Sequence, residues 1–281
     1  DAQLAATLLA LMAREDVLSA QPQRWLGAGG TPTTDEEYAG ELTLSPSQFE
    51  RALACPLRWF LTTVGADGPS NAAASLGTLI HAVAEEHPHG TPEELTEALE
   101  ARIEELGYNL DTWAGRHSDR RARAIVENLA SYLVGVPGRV DVEQKVEAQV
   151  EGVTIRGRMD RLEYVDEGVR VTDLKTGSNS DPYRKVDENA QLAAYQLALL
   201  ASGEDVAGAR IALLGTKKKP QTFDQKPLQG EALAQWRNKV REVAESARGP
   251  YFEARPSDAA CAYCSFDRLC PARERGHKVV E

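Results

Sequence analysis

The sequence predicts an α/β protein in which a mixed central sheet carries helices on both faces, behind a largely helical N-terminal half. Three observations carry that expectation. Residues 139 to 150, 153 to 165 and 168 to 175 form successive runs with a rough period of two, the spacing of strands with opposed faces. A helix-periodic stretch over about 187 to 201 then leads into a further strand at 209 to 215, so strands and helices alternate. Ahead of them, apolar residues recur mainly at helical spacing.

Taken in order, residues 1 to about 18 read as a helix with Leu4, Leu8, Leu11 and Met12 on one stripe. Gln21 to Gly40 is rich in Gly, Pro and Thr and reads as a linker, which divides the chain into 1–41 and one large domain, 42–281. Ser45-Pro46-Ser47-Gln48 starts a helix, with Ser45 capping, Pro46 in the first turn and Gln48 closing a capping box. Ala72 to Val83 is a mostly apolar helix. Thr91-Pro92-Glu93-Glu94 repeats the capping device and opens a helix through about Leu106, and Arg116 to Leu133 reads as another. Tyr164 to Gly168 supplies the turn of a hairpin between the second and third strands. Glu231 to Ala247 is a last helix before a cysteine cluster.

The chemistry is concentrated in that hairpin. Gly157-Arg158-Met159-Asp160 is followed, thirteen residues after its Asp, by Asp173-Leu174-Lys175-Thr176-Gly177. Side chains two apart share a strand face, so Asp173 and Lys175 point together, and pairing can bring Asp160 beside them. Two hard oxygen ligands and an ammonium that can orient water are the parts of metal-assisted phosphodiester hydrolysis. Surface charge on a solvated hairpin is the competing reading. Against it, the pair flanks an apolar Leu174 at the end of a Val-containing strand, where a core is expected. His81 lies on the apolar helix, and Gln191 and Tyr195, four apart, share a helix face.

The chain has four cysteines, Cys55, Cys261, Cys264 and Cys270. Two of them three apart can grip one metal or cluster edge, a third follows from the next turn, and Cys55 closes the ring, stapling the two ends of the domain. A disulfide framework fits poorly, because the close trio cannot pair off without a strained or lone thiol. Spacing leaves an iron-sulfur cluster, zinc and incidental buried thiols all open.

Together, Asp160, Asp173-x-Lys175-Thr-Gly and the one-plus-three cysteines resemble the RecB-type branch of the PD-(D/E)-x-K nucleases. More narrowly, they resemble the iron-sulfur nuclease domains of the helicase-nucleases AddAB and AdnAB. Leu44 to Glu50, running into Ala54-Cys55-Pro56-Leu57-Arg58-Trp59-Phe60, is similar to that family's first cysteine helix. Gly77-Thr78-Leu79-Ile80-His81 and Gln191-Leu-Ala-Ala-Tyr195 resemble its two later helix motifs, so the resemblance spans about residues 42 to 273. It implies a restriction-endonuclease-like fold. It also implies His81, Asp160, Asp173 and the Leu174 carbonyl as ligands of Mg²⁺ or Mn²⁺, with Lys175 on the water and Gln191 and Tyr195 near the reacting phosphate. Cys55, Cys261, Cys264 and Cys270 would hold a structural [4Fe-4S] cluster, with zinc as the alternative. Met159 stands where the family name has Pro, and the upstream acid is open between Glu143 and Glu147.

The implied activity is hydrolysis of single-stranded DNA, as the nuclease module of a machine that resects double-strand breaks. A CRISPR spacer-adaptation nuclease and a non-catalytic DNA-end-binding scaffold are the alternatives. No Gly-x-x-x-x-Gly-Lys-Ser/Thr loop occurs, so a helicase motor is expected in another domain or a partner subunit. A chain that starts at Asp1 is expected to be a fragment. No apolar run approaches the ~20 residues that cross a bilayer, and the unpaired cysteines fit a reducing compartment; a soluble, cytoplasmic protein with no membrane partner is expected. A net charge of −11 argues against a broad nucleic-acid surface. DNA contacts must then be local, with Lys217-Lys218-Lys219, Arg51, Arg58, Arg158 and Arg161 as candidates, while many acids sit in helices at Glu93-Glu94 and Glu104-Glu105.

Overall fold

A computed structural model describes residues 2–21, 36–66, 72–103, 111–136, 138–216, 218–262 and 264–273. The expected linker falls mostly on 22–35. That stretch, the helix end expected at Leu106 with Glu104-Glu105, and Lys217 lie outside the described residues. The helices are α1 (Ala2–Arg14), α2 (Pro46–Ala54), α3 (Pro56–Thr63), α4 (Ala72–Glu86), α5 (Pro92–Ile103), α6 (Trp113–Val134), α7 (Ala190–Ala201), α8 (Gly230–Ser246) and α9 (Asp258–Cys261). The strands are β1 (Leu42–Leu44), β2 (Val140–Val150), β3 (Val153–Val165), β4 (Gly168–Lys175), β5 (Val206–Leu213) and β6 (Gln221–Gln225).

These strands make one mixed sheet, as expected. β3 is antiparallel to β2 and β4, β4 is parallel to β5, and β6 closes the edge antiparallel to β5. β2 pairs along nearly the whole of one edge of β3, so β1 and β4 divide the other. β1 takes Val153 to Ile155 in parallel, and β4 takes Arg161 to Val165. Between them, Arg156 to Asp160 have no strand partner on that edge, and the N-terminus of α2 fills the gap. Gly157 permits the approach, because a Cβ there would stand 2.7 Å from Pro46 Cδ.

Each face of the sheet buries its own core. One contains Phe49 and Ala52 of α2, Trp59 of α3, most of α7 and Trp236, Val240 and Val243 of α8. The other contains α4, α5 and α6 through Ile80, Val83, Leu95, Leu99, Ile125 and Leu129. Neighbours Ile211 and Ala212 fall into different cores, as the period of a strand requires. Among the described residues no helix is long and apolar enough to cross a membrane.

Several expectations are corrected. The first cysteine helix is two helices, broken at Cys55, whose extended backbone (φ −163°, ψ 102°) caps both. Pro56 explains the break, since a residue before proline is driven out of the helical region. β1 and β6 are additional strands. The helix expected from 187 begins at Ala190, capped by the Asn189 side chain on Leu192 N–H, after a 3-10 turn at 186–188.

Arg161, expected as a DNA contact, is fully buried, as is Glu163. Its Nη2 donates to the Pro88 carbonyl at 3.0 Å, and Glu163 stands 3.6 Å from its Nε. Glu163 also accepts from Arg170 and from the Tyr132 hydroxyl at 2.5 Å. Burial pulls the Arg161 guanidinium below its ordinary range, against the charge of Glu163. Glu163→Ala would strand that guanidinium, so a loss of ~3–5 kcal/mol is expected in urea denaturation. An unchanged midpoint would refute the buried pair as a staple of the helical layer.

Candidate active site

Asp160 lies at the end of the gap in the β3 edge, where β4 has begun to diverge. Its Oδ2 accepts from the Leu174 N–H at 2.7 Å, which locks the two strand ends together although their ladder stops at Arg161 and Thr172. Its Oδ1 is 3.3 Å from His81 Nδ1, presented by α4 from the helical layer. Burial works against charge on His81, but the Asp160 hydrogen bond and the carboxylates of Asp160 and Asp173 outweigh it and raise its pKa.

On β4, Asp173 and Lys175 point the same way, with Lys175 Nζ 2.8 Å from Asp173 Oδ2. Oδ2 is buried, and that ion pair is what holds it. Gln191, at the start of α7, bridges the pair. Its Nε2 donates to Asp173 Oδ1 at 2.8 Å and its Oε1 accepts from Lys175 Nζ at 3.2 Å. Burial pushes the Asp173 carboxyl up, with Lys175 opposing. Burial pulls the Lys175 ammonium down, but Asp173 beside it prevails and holds it above the ordinary lysine range. Tyr195, one turn after Gln191, donates to the Arg158 carbonyl at 2.7 Å, so α7 holds both strands of the motif. Leu174 itself is buried in the core of the helical layer. The loop after Lys175 passes so close to Gly215 that a Cβ there would meet the Gly177 oxygen at 2.2 Å.

The two candidate upstream acids part company. Glu147 is exposed and bonded to Arg156. Glu143 turns inward, paired with Arg158 at 2.9 Å, and its ligand atom lies within 4.8 Å of those of His81 and Asp160. It does so from a left-handed backbone (φ 51°) in mid-strand, which costs a non-glycine residue ~1–3 kcal/mol. Facing pairs on either side, Val142 with Arg161 and Gln144 with Met159, keep the register. Carboxylates at Glu143, Asp160 and Asp173 and an imidazole at His81 make a donor set that suits a hard divalent cation.

Two further residues reach this centre that the motif spacing did not single out. Glu50 of α2 is half-buried, with Lys175 and Asp173 acting on its charge, and burial pushes its carboxyl up. Tyr183, in the turn before α7, is likewise placed near Lys175 and Asp173, and burial raises its phenol. The signal for Glu50 was present, since it follows the buried Phe49 on a helix whose polar stripe includes Ser47 and Arg51.

Away from this centre, Cys55, Cys261, Cys264 and Cys270 line one small space with Arg58 and Arg255, and none is in a disulfide. The C-terminal segment reaches them across α3. Leu57 N–H donates to the Glu253 carbonyl at 3.1 Å, Arg58 donates to the Ala260 carbonyl at 2.8 Å, and Phe252 stacks on Phe60 at 4.1 Å.

Residues 43–271 match the family model described as the PD-(D/E)XK nuclease superfamily. The Gene 69 protein of Mycobacterium phage D29 is 26% identical over 267 residues, which cover 81% of this chain and 96% of the phage protein. A candidate exonuclease of Eubacterium rectale has a similar fold, with a TM-score of 0.50 at 14% identity over 84% of this chain and 92% of its own.

Proposed function

The chain belongs to the PD-(D/E)XK nuclease superfamily, and from that membership we propose a divalent-metal-dependent deoxyribonuclease that hydrolyses phosphodiesters of single-stranded DNA. The observation that carries the reading is the meeting of Asp160, Asp173, Lys175 and Gln191 with His81 and Glu143 at the mouth of the β3–β4 hairpin. Glu143, Asp160, Asp173 and His81 would hold Mg²⁺ or Mn²⁺, joined by the Leu174 carbonyl. When bound, the ion supplies Lewis acidity to the phosphodiester and to an attacking water. Lys175, kept protonated by Asp173, orients that water and faces the negative charge that develops on the phosphate. Gln191 fixes the Asp173–Lys175 geometry, and Tyr195 fixes the backbone of Arg158 beside the reacting phosphate. The charged pair sits at a strand end, which leaves its far side open to a substrate.

The four-cysteine site is read as the holder of a [4Fe-4S] cluster, with zinc as the alternative, because Cys55 and the C-terminal trio line one space. The purified protein should be brown and contain iron; a colourless, zinc-loaded protein would reverse that preference. On this reading residues 42–281 are the nuclease domain of a RecB-like helicase-nuclease, residues 1–41 are a helix and linker leading into it, and the motor lies elsewhere.

The test is incubation of end-labelled single- and double-stranded DNA with the protein, with Mn²⁺ or with chelator. Cleavage of the single strand only in Mn²⁺ is expected. Metal-independent cutting would refute the site chemistry, and preference for duplex would refute the substrate.

A further inference from the structure

We propose that the polar face of α2 is one wall of a groove that takes the sugar-phosphate backbone of the DNA strand between the catalytic centre and the cysteine site. This rests on the reading of DNA as substrate and adds where the strand lies.

Ser47, Glu50, Arg51 and Ala54 recur at three- and four-residue spacing, so they form one stripe of α2, opposite the buried Phe49 and Ala52. With Ser257 and Ala260 from the C-terminal segment they line a cavity of about 420 Å³. Its two ends are chemically different. At one end stands Glu50, within reach of the charges of Lys175 and Asp173 and 3.5 Å from the Asn189 amide that caps α7. At the other, Arg58 and Ala260 are shared with the space lined by the four cysteines. The Arg58–Ala260 hydrogen bond, 2.8 Å long, ties the two walls together there.

Charge identifies the occupant. In a chain of net charge −11, Arg156, Arg158 and Arg170 are each held by a carboxylate. Arg51 is half-buried in the groove, and among the described residues its guanidinium has no ion-pair partner. A guanidinium kept free beside two serine hydroxyls suits phosphate oxygens, which accept from such donors without reading base sequence. The stripe from Ser47 to Ala54 is about 10 Å long, against 3.4 Å per phosphate along one strand of a duplex. A few nucleotides therefore fit along it. Among the residues lining this cavity only Glu50 repels the strand, and it does so near the Lys175 ammonium.

The test is equilibrium binding of a fluorescent single-stranded oligonucleotide in EDTA across a salt series, with the whole chain. Arg51→Gln is expected to weaken binding about 5- to 10-fold and to make the slope of log K against log salt shallower by about 0.7. Arg241→Gln, on α8 and bonded to Glu151, should leave both unchanged. Wild-type affinity and slope in Arg51→Gln, or an equal loss in Arg241→Gln, would overturn the groove, as would a wild-type protein that does not bind the strand. Cleavage does not enter this measurement. A protein that binds through Arg51 yet never cuts would refute the nuclease reading alone.

Discussion

Asp173→Ala is expected to abolish Mg²⁺- or Mn²⁺-dependent cleavage while the protein stays folded. Asp173 joins two of the residues at the centre: its Oδ2 holds Lys175 Nζ at 2.8 Å, and its Oδ1 accepts from Gln191 at 2.8 Å. On the proposed reading, removing it takes away an oxygen that would hold the metal and releases the ammonium together, which raises the barrier by several kcal/mol and slows the reaction about 10³-fold or more. The fold should survive, because Gln191 still accepts from Lys175 and Leu174 remains anchored to Asp160. Single-turnover cleavage of a labelled strand, with a melting curve on the same sample, measures both. Retained activity would sink the site assignment. Glu147→Ala is the matched control, since that carboxylate is exposed and bonded only to Arg156.

Cys55→Ala or Cys264→Ala should cost most of the cooperative stability of the domain. The C-terminal segment that carries three of the cysteines has little else to hold it. Among the described residues Phe266 is its one buried hydrophobic residue, and its links to α3 are the packing of Phe252 on Phe60 and Trp59 and a few hydrogen bonds. A closed multi-cysteine site contributes its binding energy directly to folding, on the order of 10 kcal/mol for structural zinc. Loss of a ligand should therefore release the segment and expose Trp59 and the α2 face beneath it. Loss of a sharp thermal transition, together with loss of visible absorbance, is the expected signature. Melting like the wild type would refute a stapling role.

Long, periodic elements were legible in the chain and short or bent ones were not. The three strands of the meander and α6 stood out because alternation or helical spacing persists over many residues. β1 is three residues long and β6 reads Gln-Thr-Phe-Asp-Gln, a polar edge strand in which alternation carries no signal. Within the centre, His81 and Gln191 entered through the resemblance of their helix motifs, while Asp160, Asp173 and Lys175 could be paired by strand period. Choosing Glu143 over Glu147 could not, because residues four apart on a straight strand share a face, and only the local bend at Glu143 separates them. Arg161 misled for a related reason. An arginine in a strand reads as surface, yet Glu163 two residues on shares its face and burial, and that pairing was the signal available.

The backbone at Glu143 has a bearing on how this fold could be followed through evolution. A strand that keeps its register on both sides of a left-handed glutamate is holding energy at a place where glycine or asparagine would relax it. Apart from its pairing with Arg158, nothing described in the sheet calls for a carboxylate there. A copy of this domain that had ceased to bind metal would be free to drift toward the relaxed residue and gain stability by it. If the proposed metal role holds, the residue at position 143 would serve as a marker, separating descendants still constrained to hold an ion from those retained for their shape alone.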